Sequence, residues 1–292
     1  MTSKPFSAPG RSVLSLGTAI DPAVVSLDPG ALLALKGALR LQHARIHVWA
    51  FSLEGAPPVL EQCRQYLSPS ERQRADRFVF PRDRMHHTVA HGIMRHLLGA
   101  YCDAPPESLE FDISASGKPR LKARGGPADA LQFNLSHSDD RAVLGVSDGR
   151  ELGVDLEKIR SIEAVEISRR FFFGSEREAI ESAALDRRES TFYRYWVAKE
   201  AVLKAQGIGL GFPLDQFRVE FLPDGNTARI ETLDPSRLES AWTVRMLPCD
   251  PGWLGAVVAL GADWDVKVES PVVTDPPHLE ARSPALKISK ER

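Results

Sequence analysis

The sequence predicts an α+β fold in which a group of strands and helices occurs once before residue 150 and once after it. Three observations carry this expectation. Residues 45–53 (RIHVWAFSL), 131–135 (LQFNL), 141–147 (RAVLGVS) and 153–157 (GVDLE) have the composition and alternation of short strands. Residues 83–101 and 190–206 have the character of longer helices, the first with apolar side chains every fourth residue. Residues 217–221, 228–232, 242–247 and 253–260 then form a second series of short alternating stretches.

With 292 residues, 43% of them hydrophobic, the chain can bury a sizeable core as one large domain or two ordinary ones. Lys+Arg 37 against Asp+Glu 39 gives a net charge of −2, which argues against nucleic acid or an anionic membrane as partner. Cys63, Cys102 and Cys249 are widely separated and form no CxxC pair, as expected of reduced thiols in a cytoplasmic protein. No apolar run approaches the ~20 residues of a membrane span, so a soluble chain is expected.

Taken in order, residues 1–44 read as an N-terminal extension with one short helix at 32–39. The strand at 45–53 ends at Gly55-Ala56-Pro57-Pro58. Ser68-Pro69-Ser70-Glu71 is a capping box that opens a helix bearing Arg72, Arg74 and Arg77. The helix at 83–101 places Met85, Val89, Ile93, Leu97 and Tyr101 on one stripe and also carries His86, His87, His91 and His96. His87 and His91 are one turn apart, but no Glu follows the first as in a zinc peptidase helix, so they read with His96 as partly exposed helix histidines. Ser116-Gly117-Lys118-Pro119 is a turn; it lacks the preceding glycine and following Ser/Thr of a phosphate-binding Walker loop.

The strand at 131–135 runs into the polar cluster Ser136-His137-Ser138-Asp139-Asp140, and 141–147 returns. After GVDLE, Phe171 to Phe173 read as core or a helix-end plug, with apolar contact to a partner as a lesser possibility. Ser175 and Glu178 suggest a second capping box, opening a helix to about 185. Gly207 is placed to terminate the helix at 190–206. Beyond Gly261 the composition turns polar and Pro-rich, as in a flexible tail over 263–292.

Strand alternation in GVDLE sends Val154 and Leu156 to one face and Asp155 and Glu157 to the other, with the acidic Cα atoms about 6.6 Å apart. Two carboxylates so spaced can converge on one small cation. Glu200 and Lys204, four residues apart, share a helix face with Trp196.

In chain order, Gly117-Lys118-Pro119, Phe133-Asn134-Leu135-Ser136-His137-Ser138, Gly153-Val154-Asp155-Leu156-Glu157, Trp196-Val197-Ala198-Lys199-Glu200-Ala201 and Ala205-Gln206-Gly207-Ile208-Gly209 resemble the larger, Sfp-type class of 4′-phosphopantetheinyl transferases. The resemblance spans about residues 45–260. It implies two similar α+β halves, 45–150 and 151–262, with the active site at their junction. It also implies transfer of the phosphopantetheine arm of coenzyme A to a serine of an acyl or peptidyl carrier protein, releasing adenosine 3′,5′-bisphosphate. Asp155, Glu157 and Glu200 would hold Mg²⁺, a hard cation suited to oxygen ligands. Glu200 would take the serine proton, directly or through water, and Lys204 would neutralise phosphate charge. Lys118, Ser136 and His137 would contact coenzyme A phosphates, joined by basic residues around Arg72, Arg74 and Arg84. At one position where the family has arginine this chain has His86. An acidic carrier would be steered by Arg169, Arg170 and Arg177. The expected protein is a monomer. Two other readings use the same residues: a metal-dependent phosphodiester hydrolase, and a non-catalytic module that binds coenzyme A or a carrier protein.

Overall fold

Strand β1 (Arg45–Ser52) is buried on both faces, and the architecture follows from what covers each. In a computed structural model, residues 28–35, 39–115, 117–123, 125–209, 211–236, 238 and 241–268 are described. On one face of β1, Trp49 and Phe51 meet the helices of the first half; on the other, Ile46, Val48 and Ala50 meet the second half.

The first half has a four-stranded sheet in the order β11 (Asp265–Val268), β1, β5 (Arg141–Asp148), β4 (Leu131–Ser138). Helices α2 (Pro57–Tyr66), α3 (Pro69–Asp76) and α4 (Pro81–Cys102) belong to this half, with a small hairpin of β2 (Phe111–Ile113) and β3 (Pro119–Leu121). The expected stripe of α4 is its core face: Val89, Ile93 and Leu97 are fully buried against Trp49, Phe51, Phe133 and Leu144. Helix α1 (Pro29–Leu33) lies N-terminal to the position expected for it. Asp28 accepts a hydrogen bond from the Ala31 N–H at its start, and Leu32 and Leu33 pack into the same core.

The second half is an antiparallel sheet in the order β6 (Leu152–Lys158), β10 (Trp253–Leu260), β9 (Trp242–Leu247), β8 (Thr227–Thr232), β7 (Phe217–Phe221). Helix α7 (Arg188–Gln206) crosses it, burying Val197, Ala201 and Val202 against Ala256 and Val258. Helices α5 (Ala164–Phe171) and α6 (Gly174–Ser182) flank α7 through Phe172, Ile180 and Phe192. Helix α6 starts differently from expectation: the Glu176 carboxylate accepts the Phe173 N–H, so the cap is two residues earlier than Ser175 and Glu178 would place it. The reason is a second demand on Glu176, which also accepts the Val219 N–H and pairs with fully buried Lys199 at 2.9 Å. Lys199 gives its remaining protons to the Leu214 and Phe217 carbonyls, satisfying a pair that would otherwise be costly to bury.

The two sheets meet through a shared apolar layer in which Ile46, Val48, Ala50 and Val143 face Leu152, Val154, Leu156 and Val257. Residues 263–268 depart from the expected tail, the rest of which, 269–292, lies outside the described residues. Trp264 is buried in this layer and Asp265–Val268 pairs in parallel with β1, because the open edge of β1 offers backbone partners and Trp264 and Val266 add apolar surface. Thus the chain returns to the first half after completing the second. Among the described residues no helix is long and apolar enough to cross a membrane.

The capping box at Ser68 and Glu71 forms as expected and does more than start α3. Glu71 also accepts from Arg95 Nε at 2.7 Å, pinning α3 to α4, and Arg95 donates onward to the Pro106 and Leu109 carbonyls. Burial pushes the Glu71 carboxyl up, but His91, the Ser68 N–H and Arg95 outweigh it and bring it from 4.5 to about 2. A carboxyl depressed on folding stabilises the fold above its unfolded value and loses that contribution as pH falls from 4.5 towards 2. Glu71→Gln, which cannot ionise, is expected to flatten that part of the profile of unfolding midpoint against pH; an unchanged profile would contradict the assignment.

Candidate active site

Two neighbouring strands with matched alternation build the site. In β6, Gly153, Asp155 and Glu157 face α7, while Val154 and Leu156 enter the layer between the halves. In β4, Asn134, Ser136 and Ser138 face β6: Asn134 Oδ1 accepts the Val154 N–H, Ser136 Oγ donates to Asp155 Oδ1 at 2.9 Å, and Ser138 Oγ donates to Glu157 Oε2 at 2.6 Å. The two serines and two carboxylates, each pair two residues apart, form side-chain rungs between the halves.

Helix α7 supplies the other wall. A Cβ at Gly153 would lie 2.1 Å from the Ala201 carbonyl oxygen and 2.4 Å from the Ala205 nitrogen, so only glycine lets the helix lie this close to β6. At that separation Lys204 Nζ reaches Asp155 Oδ1 at 2.6 Å and Ser136 Oγ at 2.8 Å. Gly207, at φ 68°, ends α7 with its N–H on the Leu203 carbonyl.

Asp155 is 2% exposed and Glu200 7%. Burial pushes the Asp155 carboxyl up, opposed by Lys204 and Ser136. Burial likewise raises Glu157, opposed by Ser138 and reinforced by Asp155. Glu200 is raised from 4.5 to about 7, by burial and then Asp155, with Lys204 opposing and Glu157 adding. Asp155 Oδ2 and Glu200 Oε1 are buried and accept no hydrogen bond. Among the described residues no group of three or more His, Cys, Asp or Glu side chains stands arranged to hold a metal ion.

Glu200 and Lys204 open onto a cleft of about 390 Å³, also lined by Lys118, Asn134, Leu135 and Gly209. A second cleft of about 630 Å³, lined by Glu71, Arg74, His87, His91 and His137, shares Gly117, Pro119, Asn134 and Leu135 with the first. Together they make a groove along the junction, of the size ligand sites occupy.

The structure thus brings Asp155, Glu157, Glu200, Lys204 and Ser136 together and puts His137 and Arg74 on the adjoining groove. Lys118 is 8% exposed, and its ammonium donates to Glu151 and to the Leu152 and Ala205 carbonyls, joining the first half to β6 and α7. Arg72, Arg84 and His86 line neither cleft. Arg84 donates to the Phe78 carbonyl, and a His86 ring nitrogen lies 3.1 Å from Glu54 Oε1. His87 is buried, not partly exposed, because α3 and β4 enclose one side of α4. Asn134 and Ser138 were absent from the expected site, although their two-residue spacing from Ser136 matches that of Asp155 and Glu157.

A carboxylate cluster with a paired lysine thus opens on a groove between two α+β halves. Residues 151–258 match the family described as 4′-phosphopantetheinyl transferase superfamily, and residues 55–148 match 4′-phosphopantetheinyl transferase, N-terminal. The 4′-phosphopantetheinyl transferase HetI of Nostoc sp. (strain PCC 7120 / SAG 25.82 / UTEX 2576) is 34% identical over 232 residues, covering 78% of this chain and 93% of the relative. The 4′-phosphopantetheinyl transferases Sfp of Bacillus subtilis (strain 168) and psf-1 of Bacillus pumilus are each 30% identical, covering 70% and 68% of this chain and 87% and 81% of their own lengths. The chain belongs to the 4′-phosphopantetheinyl transferase family, as an enzyme of the Sfp and HetI type.

Gly153→Ala is expected to force α7 off β6, lowering stability by about 3 kcal/mol and parting Lys204 from Asp155. Chemical denaturation checks the first effect and transferase activity the second; a variant of unchanged stability and activity would contradict the close-packing account.

Proposed function

We propose that coenzyme A lies in the junction groove and that its phosphopantetheine arm passes to a serine of an acyl or peptidyl carrier protein. The serine oxygen forms a bond to the arm's phosphorus, the bond from that phosphorus to the bridging pyrophosphate oxygen breaks, and adenosine 3′,5′-bisphosphate leaves. The serine proton goes to Glu200, directly or through a water. The observation that carries this reading is the junction cluster itself: Asp155 Oδ2 and Glu200 Oε1 are buried without a donor, beside a lysine already oriented by Asp155 and Ser136.

Asp155, Glu157 and Glu200 would hold Mg²⁺. The fit rests on Asp155 Oδ2 and Glu200 Oε1, two buried oxygens with lone pairs and no donor, in an oxygen-only set that suits a hard cation. When bound, the ion supplies charge stabilisation for the pyrophosphate. Lys204 adds a fixed positive charge whose position does not depend on the ion, since Asp155 and Ser136 hold its ammonium.

Of the basic residues assigned to coenzyme A, Arg74 and His137 face the groove and suit its phosphates. Lys118 and Ser136 have partners within the chain and act by holding the groove walls; Arg72, Arg84 and His86 lie outside its lining. The carrier protein docks at α5, where Phe171 is 44% exposed beneath the Arg170 guanidinium and Arg169 and Arg177 are neighbours. Phe172 is excluded from that contact, since it is core. The enzyme works as a cytoplasmic monomer; its cysteines are free, and burial pushes Cys63 and Cys249 up to about 12, away from reactivity.

Two isosteric variants test the roles. Glu200→Gln and Asp155→Asn are each expected to slow transfer from coenzyme A to an apo carrier protein at least about a hundredfold. Because the Glu200 carboxyl is raised on folding, its ionisation destabilises the fold as pH rises from 4.5 through about 7. Glu200→Gln removes that penalty, so its unfolding midpoint at neutral pH is expected to equal or exceed that of the parent. Near-normal transfer by either variant would overturn the site, and release of adenosine bisphosphate without a carrier would favour the hydrolase.

A further inference from the structure

The transferase reading leaves two groove histidines without a task. His87 and His91 are one turn apart on α4 and line the groove with Glu71, Arg74 and His137. Their ring centroids are 4.2 Å apart, with the planes tilted by 42°. His87 is 9% exposed. His87 Nε2 is buried with no hydrogen-bond partner, and His91 Nδ1 has only the Glu71 carboxylate beside it. Glu71 Oε1 lies 3.5 Å from His91 Nδ1, at the outer limit of a hydrogen bond. Buried ring nitrogens are ordinarily paired, so an unpaired one next to a weakly paired one, on residues that line a groove, calls for a ligand.

We propose that His87 and His91 form a two-imidazole chelate for a divalent transition cation such as Ni²⁺ or Zn²⁺, with its remaining coordination positions open to the groove. Histidines at i and i+4 on one helix face are spaced as in helix-borne zinc sites. Imidazole suits Zn, Cu and Ni, whereas carboxylates suit Mg, so the groove has two sites of different affinity class: oxygen donors at Asp155 and Glu200, nitrogen donors at His87 and His91. Glu71, fixed beside His91 by Arg95 and the Ser68 N–H, offsets part of the cation's charge. Two protein ligands hold the cation, and water fills its remaining positions.

The test is calorimetric titration of the full chain, free of any affinity tag, with Ni²⁺ in excess Mg²⁺ at neutral pH. One Ni²⁺ per chain is expected. His87→Ala and His91→Gln should each weaken binding at least tenfold, while His96→Ala, which lies in a different cleft beside Tyr66, leaves it unchanged. Co²⁺ in place of Ni²⁺ should give a spectrum without a thiolate charge-transfer band, separating the pair from the three cysteines. If His87→Ala does not fold, His91→Gln at its half-buried position decides the question. No Ni²⁺ binding, binding unchanged in His91→Gln, or a thiolate band would overturn the proposal. The readout is independent of catalysis, so its failure leaves the transferase reading intact.

Discussion

The contact among Ser136, Asp155 and Lys204 is the constraint on which the rest depends. Its members come from β4, an edge strand of the first sheet, from β6, an edge strand of the second, and from the helix that crosses that second sheet. None can shift without disturbing two others. Asp155 must be buried for the sheets to meet, and a buried carboxylate is tolerable only when paired and hydrogen-bonded. Lys204 and Ser136 meet that demand at one oxygen and leave the other free.

That division of labour explains the electrostatics. Asp155 is compensated by a lysine and a hydroxyl, whereas Glu200 shares the same enclosed space with one oxygen unmet and two carboxylates nearby. A fold selected only for stability would not leave this charge arrangement uncompensated, since unpaired buried polar groups are among the costlier defects a protein can carry. Lys199, the neighbour of Glu200 on α7, is a contrast: it pairs with Glu176 of α6, and this equally buried pair is fully satisfied and serves packing. The two adjacent residues Lys199 and Glu200 thus point to opposite duties, the first to the core and the second to the groove.

Much of this was legible because it rests on short-range periodicity. The alternation of GVDLE separates its carboxylates from its core residues, the spacing of four in α7 aligns Glu200 with Lys204, and the apolar stripe of α4 is its buried face. What could not be read depends on contacts distant in sequence. Trp264 and Asp265–Val268 look like the start of a polar tail until the edge of β1 is available to receive them. Lys118 resembles an exposed turn lysine; only the meeting of the halves brings the Leu152 and Ala205 carbonyls within its reach. His87 becomes buried through α3 and β4 of its own half, elements that no helical pattern on α4 reveals.

The central claim is that this junction holds a cation on the unpaired oxygens of Asp155 and Glu200. Anomalous diffraction from crystals grown with coenzyme A and Mn²⁺ in place of Mg²⁺ tests it most directly. The account predicts a single strong peak against Asp155 and Glu200; a peak only elsewhere in the groove, or none, would contradict it.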